Sequence, residues 1–199
     1  MTGLYGNIYH ITLFKYTSEK VYGGNEEEEM IAYLLLKILI ATAAAVILIA
    51  VSVEDIRTME ISDRHSAALL ALAALDMIAE IAIGGASGMG MKAEVAAMAA
   101  DRAACAFLIS GAMLMMDLIA DAFGEGDVLL CFAAGALLGW KGMLFATALA
   151  MMAAGLFAAA GLAAGRLQRR SVFPFGPFLA FGICCSLAFE TYGSLLAGV

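Results

Sequence analysis

The sequence predicts an all-α integral membrane protein, a bundle of about six transmembrane helices, from bulk composition, apolar run length and the placement of charge. Hydrophobic residues make up 63% of the 199 positions and mean hydropathy is +0.93, well outside the composition of a soluble domain. The apolar runs Met30–Val53 and Met143–Gly165 each exceed the roughly 20 residues that cross a hydrocarbon core of about 30 Å. Charged residues gather between such runs, as in Glu54–Arg64.

Residues 1–29 are polar, contain the acidic run Glu26–Glu29 and lack the basic start, apolar centre and small-residue cleavage site of a signal peptide. They read as a solvated tail, in which Ile8–Tyr16 forms at most a short strand or interfacial helix, ahead of a membrane-embedded domain over 30–199. The first span is Met30–Val53. After Glu54–Arg64 a second runs from about His65 to Gly84, and the Gly-rich link Gly84–Gly90 completes a hairpin. A third runs from about Ala103 to Ala122 and ends at Phe123–Asp127, where glycines open the helix. The fourth, Val128–Trp140, covers only about 20 Å at the helical rise, so it must begin before Asp127 to cross, which sets Asp127 at the membrane edge. The fifth ends at Gly165 and the sixth runs from about Phe175 to Val199. In the fifth, the small residues Ala153, Ala154, Gly155 and Ala158–Gly161 predict close helix packing.

Alternating passes put Arg57, Arg64, Arg166, Arg169 and Arg170 on one side and Lys92 and Lys141 on the other. By the positive-inside rule the arginine side is cytoplasmic and the N-terminus lies outside, as for a multi-pass protein of the inner (cytoplasmic) membrane. A net charge of −7, with 11 Lys and Arg dispersed along the chain, excludes a nucleic-acid partner, which needs clustered cations. Cys105, Cys131, Cys184 and Cys185 lie in apolar stretches without CxxC spacing, so they read as small buried residues; no metal or other cofactor is expected.

Carboxylates at or inside a membrane are expensive to desolvate and so point to function unless they are paired. Asp55 ends the first helix and Asp127 precedes the fourth, and the alternating passes return both to the same cytoplasmic edge. Two carboxyls held close in a low-dielectric site do not both ionise, so one is charged and one protonated. Peptide hydrolysis by water needs that pair: the carboxylate takes a proton from the attacking water, while the acid polarises the scissile carbonyl. Gly124 and Gly126 give Gly-x-Gly-Asp, which lets a substrate backbone lie close to the chain.

The run Val53-Glu54-Asp55-Ile56-Arg57, followed by Glu60-Ile61-Ser62-Asp63, resembles the Asp-x-Arg to Ile-Pro-Asp pattern of type IV prepilin peptidases. Gly124-Glu125-Gly126-Asp127-Val128, with Gly135 and Leu138-Gly139-Trp140, resembles the second aspartate block of that family, and Pro174–Gly182 is similar to its Pro-Phe-Gly-Pro-Phe-Leu segment. The resemblance implies a Gly-x-Gly-Asp aspartyl protease architecture with Asp55 and Asp127 catalytic and Gly124, Gly126, Asp63 and Arg57 supporting the site. It also implies a prepilin or pseudopilin-like precursor as partner, cut beside a short basic leader at the cytoplasmic face, with Glu54, Glu60 and Glu125 as acidic groups that favour that leader. Ser62 stands where the family has proline, and the cysteine-rich insertion of the bifunctional members is missing, which implies a short form that cleaves without methylating.

Other polar residues have plainer readings. Asp63 also reads as a solvated loop carboxylate or a helix N-cap. Asp76 with Glu80, and Asp117 with Asp121, are i,i+4 pairs; the first reads as structural pairing with Arg102 or as the lining of a polar cavity, and Asp121 lies near the catalytic edge. His65 reads as a capping or interfacial residue, and Glu190 as lying near the outer edge. Two rival functions remain: a presenilin-like intramembrane aspartyl protease, and a small proton-coupled transporter whose path would run through Asp76, Glu80, Asp117 and Asp121.

Overall fold

The computed structural model of the protein describes residues 26–85, 89–120, 124–166 and 174–197. The expected segment Ile8–Tyr16, Asp121, Arg169, Arg170 and the side chain of Lys92 lie outside the described residues. The described chain is all-helical: α1 Glu26–Thr58, α2 Asp63–Gly85, α3 Met89–Ala120, α4 Glu125–Ala163 and α5 Gly176–Ala197. Helix α1 starts at Glu26, ahead of the expected boundary at Met30.

Four stretches are long and apolar enough to cross a membrane: Ile31–Thr58, Asp63–Ala82, Val95–Ile119 and Glu125–Ala163. Leu39, Ile49, Ile78, Leu118, Ile119 and Leu156 are exposed on these helices; water would penalise such a surface, whereas lipid solvates it. The protein is a multi-pass membrane protein. Helix α4 is central, packing against α2, α3 and α5, while α5 also packs on α1. Leu48, Val51, Leu69, Leu130, Met143, Leu179 and Ile183 fill the space between them.

The expected count of six helices is corrected to five among the described residues. Val128–Trp140 and Met143–Gly165, read from sequence as separate spans, are the two arms of the continuous element α4, which is broken at Gly139 (φ 66°, ψ −175°). This one residue nevertheless turns the chain back. Gly126 lies against Ile61 and Gly139 against Asp101; beyond the break, Gly142 lies against Ser186 and Glu190, and Ala146 against Gly182. The Phe157 and Phe178 rings are 5.4 Å apart. The second arm thus retraces α5 towards its N-terminus, the end from which the first arm set out.

Positive φ favours glycine at 139, and a Cβ there would come within 2.8 Å of Asp101 Oδ2. The same carboxylate accepts a hydrogen bond from the Trp140 amide at 3.1 Å, satisfying a donor that the break leaves without a helical partner. Of the small residues expected to pack closely, Ala154 is buried, and the tightest approach occurs earlier on the same arm: Gly142, Ala146 and Ala150 are buried, and a Cβ on Gly182 would collide with the Ala146 carbonyl oxygen, whereas Gly155 has open space around it. Small residues permit such contact only where a neighbour is present.

Candidate active site

Helix α1 ends at Thr58, and Met59 follows in the left-handed region (φ 54°) with its amide donating to the Asp55 carbonyl at 2.9 Å. A non-glycine residue in that conformation stores of order 1 kcal/mol of strain. The turn is held by Thr58, whose Oγ1 accepts from the Glu60 amide at 3.3 Å and has the Glu54 carbonyl at 2.9 Å and the Glu60 carbonyl at 3.0 Å as alternative acceptors for its one proton. Its effect is to reverse the chain just after Asp55, leaving that side chain in the last turn of α1 facing the bundle.

Asp55 is 5% exposed. Its Oδ2 accepts a 2.7 Å hydrogen bond from the Gly176 amide at the start of α5. A Cβ on Gly176 would lie 2.6 Å from that oxygen, so glycine is what lets the helix end approach the carboxyl. An unpaired amide at a helix N-terminus is a natural donor to an acidic group.

Asp127 lies in the first turn of α4, and Asp55 is near enough to act on it electrostatically. Its backbone amide donates to the Gly124 carbonyl at 3.0 Å. Its Oδ1 is buried with no hydrogen-bond partner among the described residues, an arrangement that protein interiors rarely leave without a purpose. Gly126 has a clear steric role, since a Cβ there would lie 2.5 Å from the Ile61 carbonyl oxygen. Gly124 has no such contact: it is extended (φ −83°, ψ 155°) with open space around it.

Glu54, one of the acidic groups expected to favour the leader, has partners within the chain. Its Oε2 accepts from the Ser62 amide at 3.2 Å and lies 2.8 Å from His65 Nδ1, a close contact without hydrogen-bond alignment. Arg57, Glu60, Asp63 and Glu125 are exposed around the same edge. His65, in the first turn of α2, thus lies beside Glu54.

The buried carboxylates Asp76 and Glu80 lie at the opposite end of the bundle. Arg102 reaches Asp76 at 2.9 Å and Glu80 at 3.1 Å, as the pairing reading anticipated. Sequence reasoning missed Lys37, whose Nζ lies 2.7 Å from Asp76 and 2.6 Å from Glu80; a lone lysine inside an apolar span was the available signal that a partner exists. Glu190 is half-buried within electrostatic reach of Arg102 and Lys37, and Asp117 is half-buried in α3. Lys37 and Asp55 are separated along α1 by about 27 Å at the helical rise, so the ionic cluster is remote from the aspartate pair. Among the described residues no group of three or more His, Cys, Asp or Glu is arranged to hold a metal ion.

The sequence profile of the type IV leader peptidase family matches residues 42–159, more than half of the chain. The chain belongs to this family. No curated protein and no solved structure matches it. Membership identifies a leader peptidase in general terms, and the matched stretch includes both Asp55 and Asp127. The Pro174–Gly182 block lies beyond that stretch, and its contribution of the Gly176 amide to the site comes from the structure.

Lys37, Arg102, Asp76 and Glu80 tie α1, α2 and α3 together. Removing one member of a buried ionic cluster strands its partners, at a cost of about 3–5 kcal/mol. Lys37→Met is therefore expected to lower the unfolding midpoint in detergent clearly, and wild-type liposomes are expected to carry no proton flux that this substitution abolishes. Proton flux dependent on Lys37, with unchanged stability, would favour the transporter reading.

Proposed function

We propose that the protein is an aspartyl endopeptidase that removes the short basic leader of prepilin or pseudopilin-like precursors, with Asp55 and Asp127 activating a water molecule. The observation that carries this reading is the unpartnered, buried Oδ1 of Asp127 beside an Asp55 held by a backbone amide. A water there would supply the missing hydrogen bond and be the nucleophile.

In the reaction, the ionised carboxyl takes a proton from water as its oxygen attacks the scissile carbonyl carbon, and the protonated carboxyl donates to the carbonyl oxygen as it becomes an oxyanion. On collapse the C–N bond breaks and the departing nitrogen receives the proton first taken from water. The products are a leader ending in a carboxylate and a mature chain with a free amine.

The two aspartates lie near helix ends, Asp55 in the last turn of α1 and Asp127 in the first turn of α4. That placement favours a substrate cut at the membrane edge over a presenilin-like cut within a span. The exposed carboxylates Glu60, Asp63 and Glu125 favour a basic leader. The short α1–α2 connection, residues 59–62, encloses little space for a nucleotide-sized methyl donor, in keeping with cleavage alone.

The reading also sets this edge at the cytoplasmic face of the inner membrane. In a variant lacking the native cysteines, a cysteine replacing the exposed Arg166 should react with a membrane-impermeant maleimide only from the cytoplasm, and one replacing the exposed Lys141 only from outside. The reverse pattern would put the aspartate pair on the wrong side.

A further inference from the structure

The connection between α1 and α2 is fixed at both of its sides. On one side Glu54 Oε2 accepts a hydrogen bond from the Ser62 amide at 3.2 Å and lies 2.8 Å from His65 Nδ1. On the other, the Ile61 carbonyl bears on Gly126, where a Cβ would come within 2.5 Å. Glu54 is covalently next to Asp55 and Gly126 is next to Asp127. The connection is thus a brace between the backbones that carry the two carboxyls, and Glu54 is the side chain that latches it.

The donor at position 62 is the backbone amide. A proline there would have no amide hydrogen to donate, so the hydrogen bond to Glu54 needs a non-proline residue at this position, and Ser62 meets that need. Glu54 and His65 are both about one-third exposed, so neither has the burial of a core ion pair, and exposed pairs of this kind contribute little to global stability.

We propose that Glu54 is a positioning residue that, through Ser62 and His65, latches the 59–62 connection over Gly126 and so fixes Asp127 relative to Asp55. The proposal rests on the aspartyl peptidase reading above. It assigns Glu54 a task distinct from leader recognition: its loss disturbs the geometry of the pair, which controls turnover, and leaves the exposed groups that meet the leader in place. A displacement of the order of 1 Å between catalytic groups is enough to lower turnover by about 10²-fold.

The test is steady-state cleavage of a precursor with a basic leader by purified wild-type protein and Glu54→Ala, Glu54→Gln, His65→Ala and Glu54→Ala/His65→Ala variants. Glu54→Ala is expected to lower kcat by about 10- to 100-fold with KM changed less than about 3-fold. Glu54→Gln, which keeps an acceptor for the Ser62 amide, should recover most of that loss. His65→Ala should lower kcat by a smaller factor, and the double variant should be no worse than Glu54→Ala, because both residues act through one latch.

A rise in KM at constant kcat, unrescued by glutamine, would mean that Glu54 binds the leader and would overturn the proposal. So would wild-type kcat in Glu54→Ala or His65→Ala, or losses that multiply in the double variant. Asp55→Asn and Asp127→Asn run in the same assay separate the two levels: if either remains active, the aspartyl reading has failed, whereas inactive aspartate variants beside a fully active Glu54→Ala refute the latch alone.

Discussion

Asp55→Asn and Asp127→Asn are each expected to lower leader cleavage by about 10³- to 10⁴-fold while the protein still inserts and purifies as wild type. Asparagine matches aspartate in size and keeps a carbonyl oxygen, so Gly176 retains an acceptor at position 55 and the packing around position 127 is preserved. What is lost is the ability to take up or release a proton. The loss should be similar in either variant, and a double variant should be little worse than the singles, because in the proposed mechanism the two carboxyls act as one unit. Cleavage rates measured with a fixed precursor in detergent check this, and turnover near wild type in either single variant would refute the assignment.

Gly176→Ala is the second substitution with a large expected effect. A Cβ there falls 2.6 Å from Asp55 Oδ2 and 3.0 Å from its Cγ, so either the carboxyl or the start of α5 must move. The carboxyl is the softer element, since α5 is anchored further along by Leu179 and Ile183 in the core. Turnover should therefore fall by about 10²-fold, with a modest change in the unfolding midpoint. Gly124→Ala, by contrast, meets nothing within 4 Å and should cleave at close to the wild-type rate. The pair of glycine variants tests the geometry independently of any change in titratable groups.

Four long apolar stretches were legible in the sequence because lipid selects such runs, and the parity of the passes was enough to bring the end of α1 and the start of α4 to one edge. The partners of the polar residues were not, because they are distant in the chain. Asp55 is bonded to an amide 121 residues away and Lys37 to carboxylates 39 and 43 residues away, and no periodicity encodes such pairs. Gly139 is one of 21 glycines, and only its positive φ and the Asp101 carboxylate beside it distinguish the residue that reverses the chain. The contact between Glu54 and Ser62 was hidden for a related reason: a backbone amide, a donor that every non-proline residue carries, is invisible in a list of side chains.

The central claim, that two carboxyls work through a water molecule, is tested most directly by a single-turnover cleavage in water enriched in oxygen-18, followed by mass measurement of the released leader and of peptides containing Asp55 and Asp127. The account predicts one heavy oxygen in the new C-terminal carboxylate of the leader and none in either aspartate. Heavy oxygen in Asp55 or Asp127 after one turnover would mean that the side chain attacked the substrate covalently, and would contradict it.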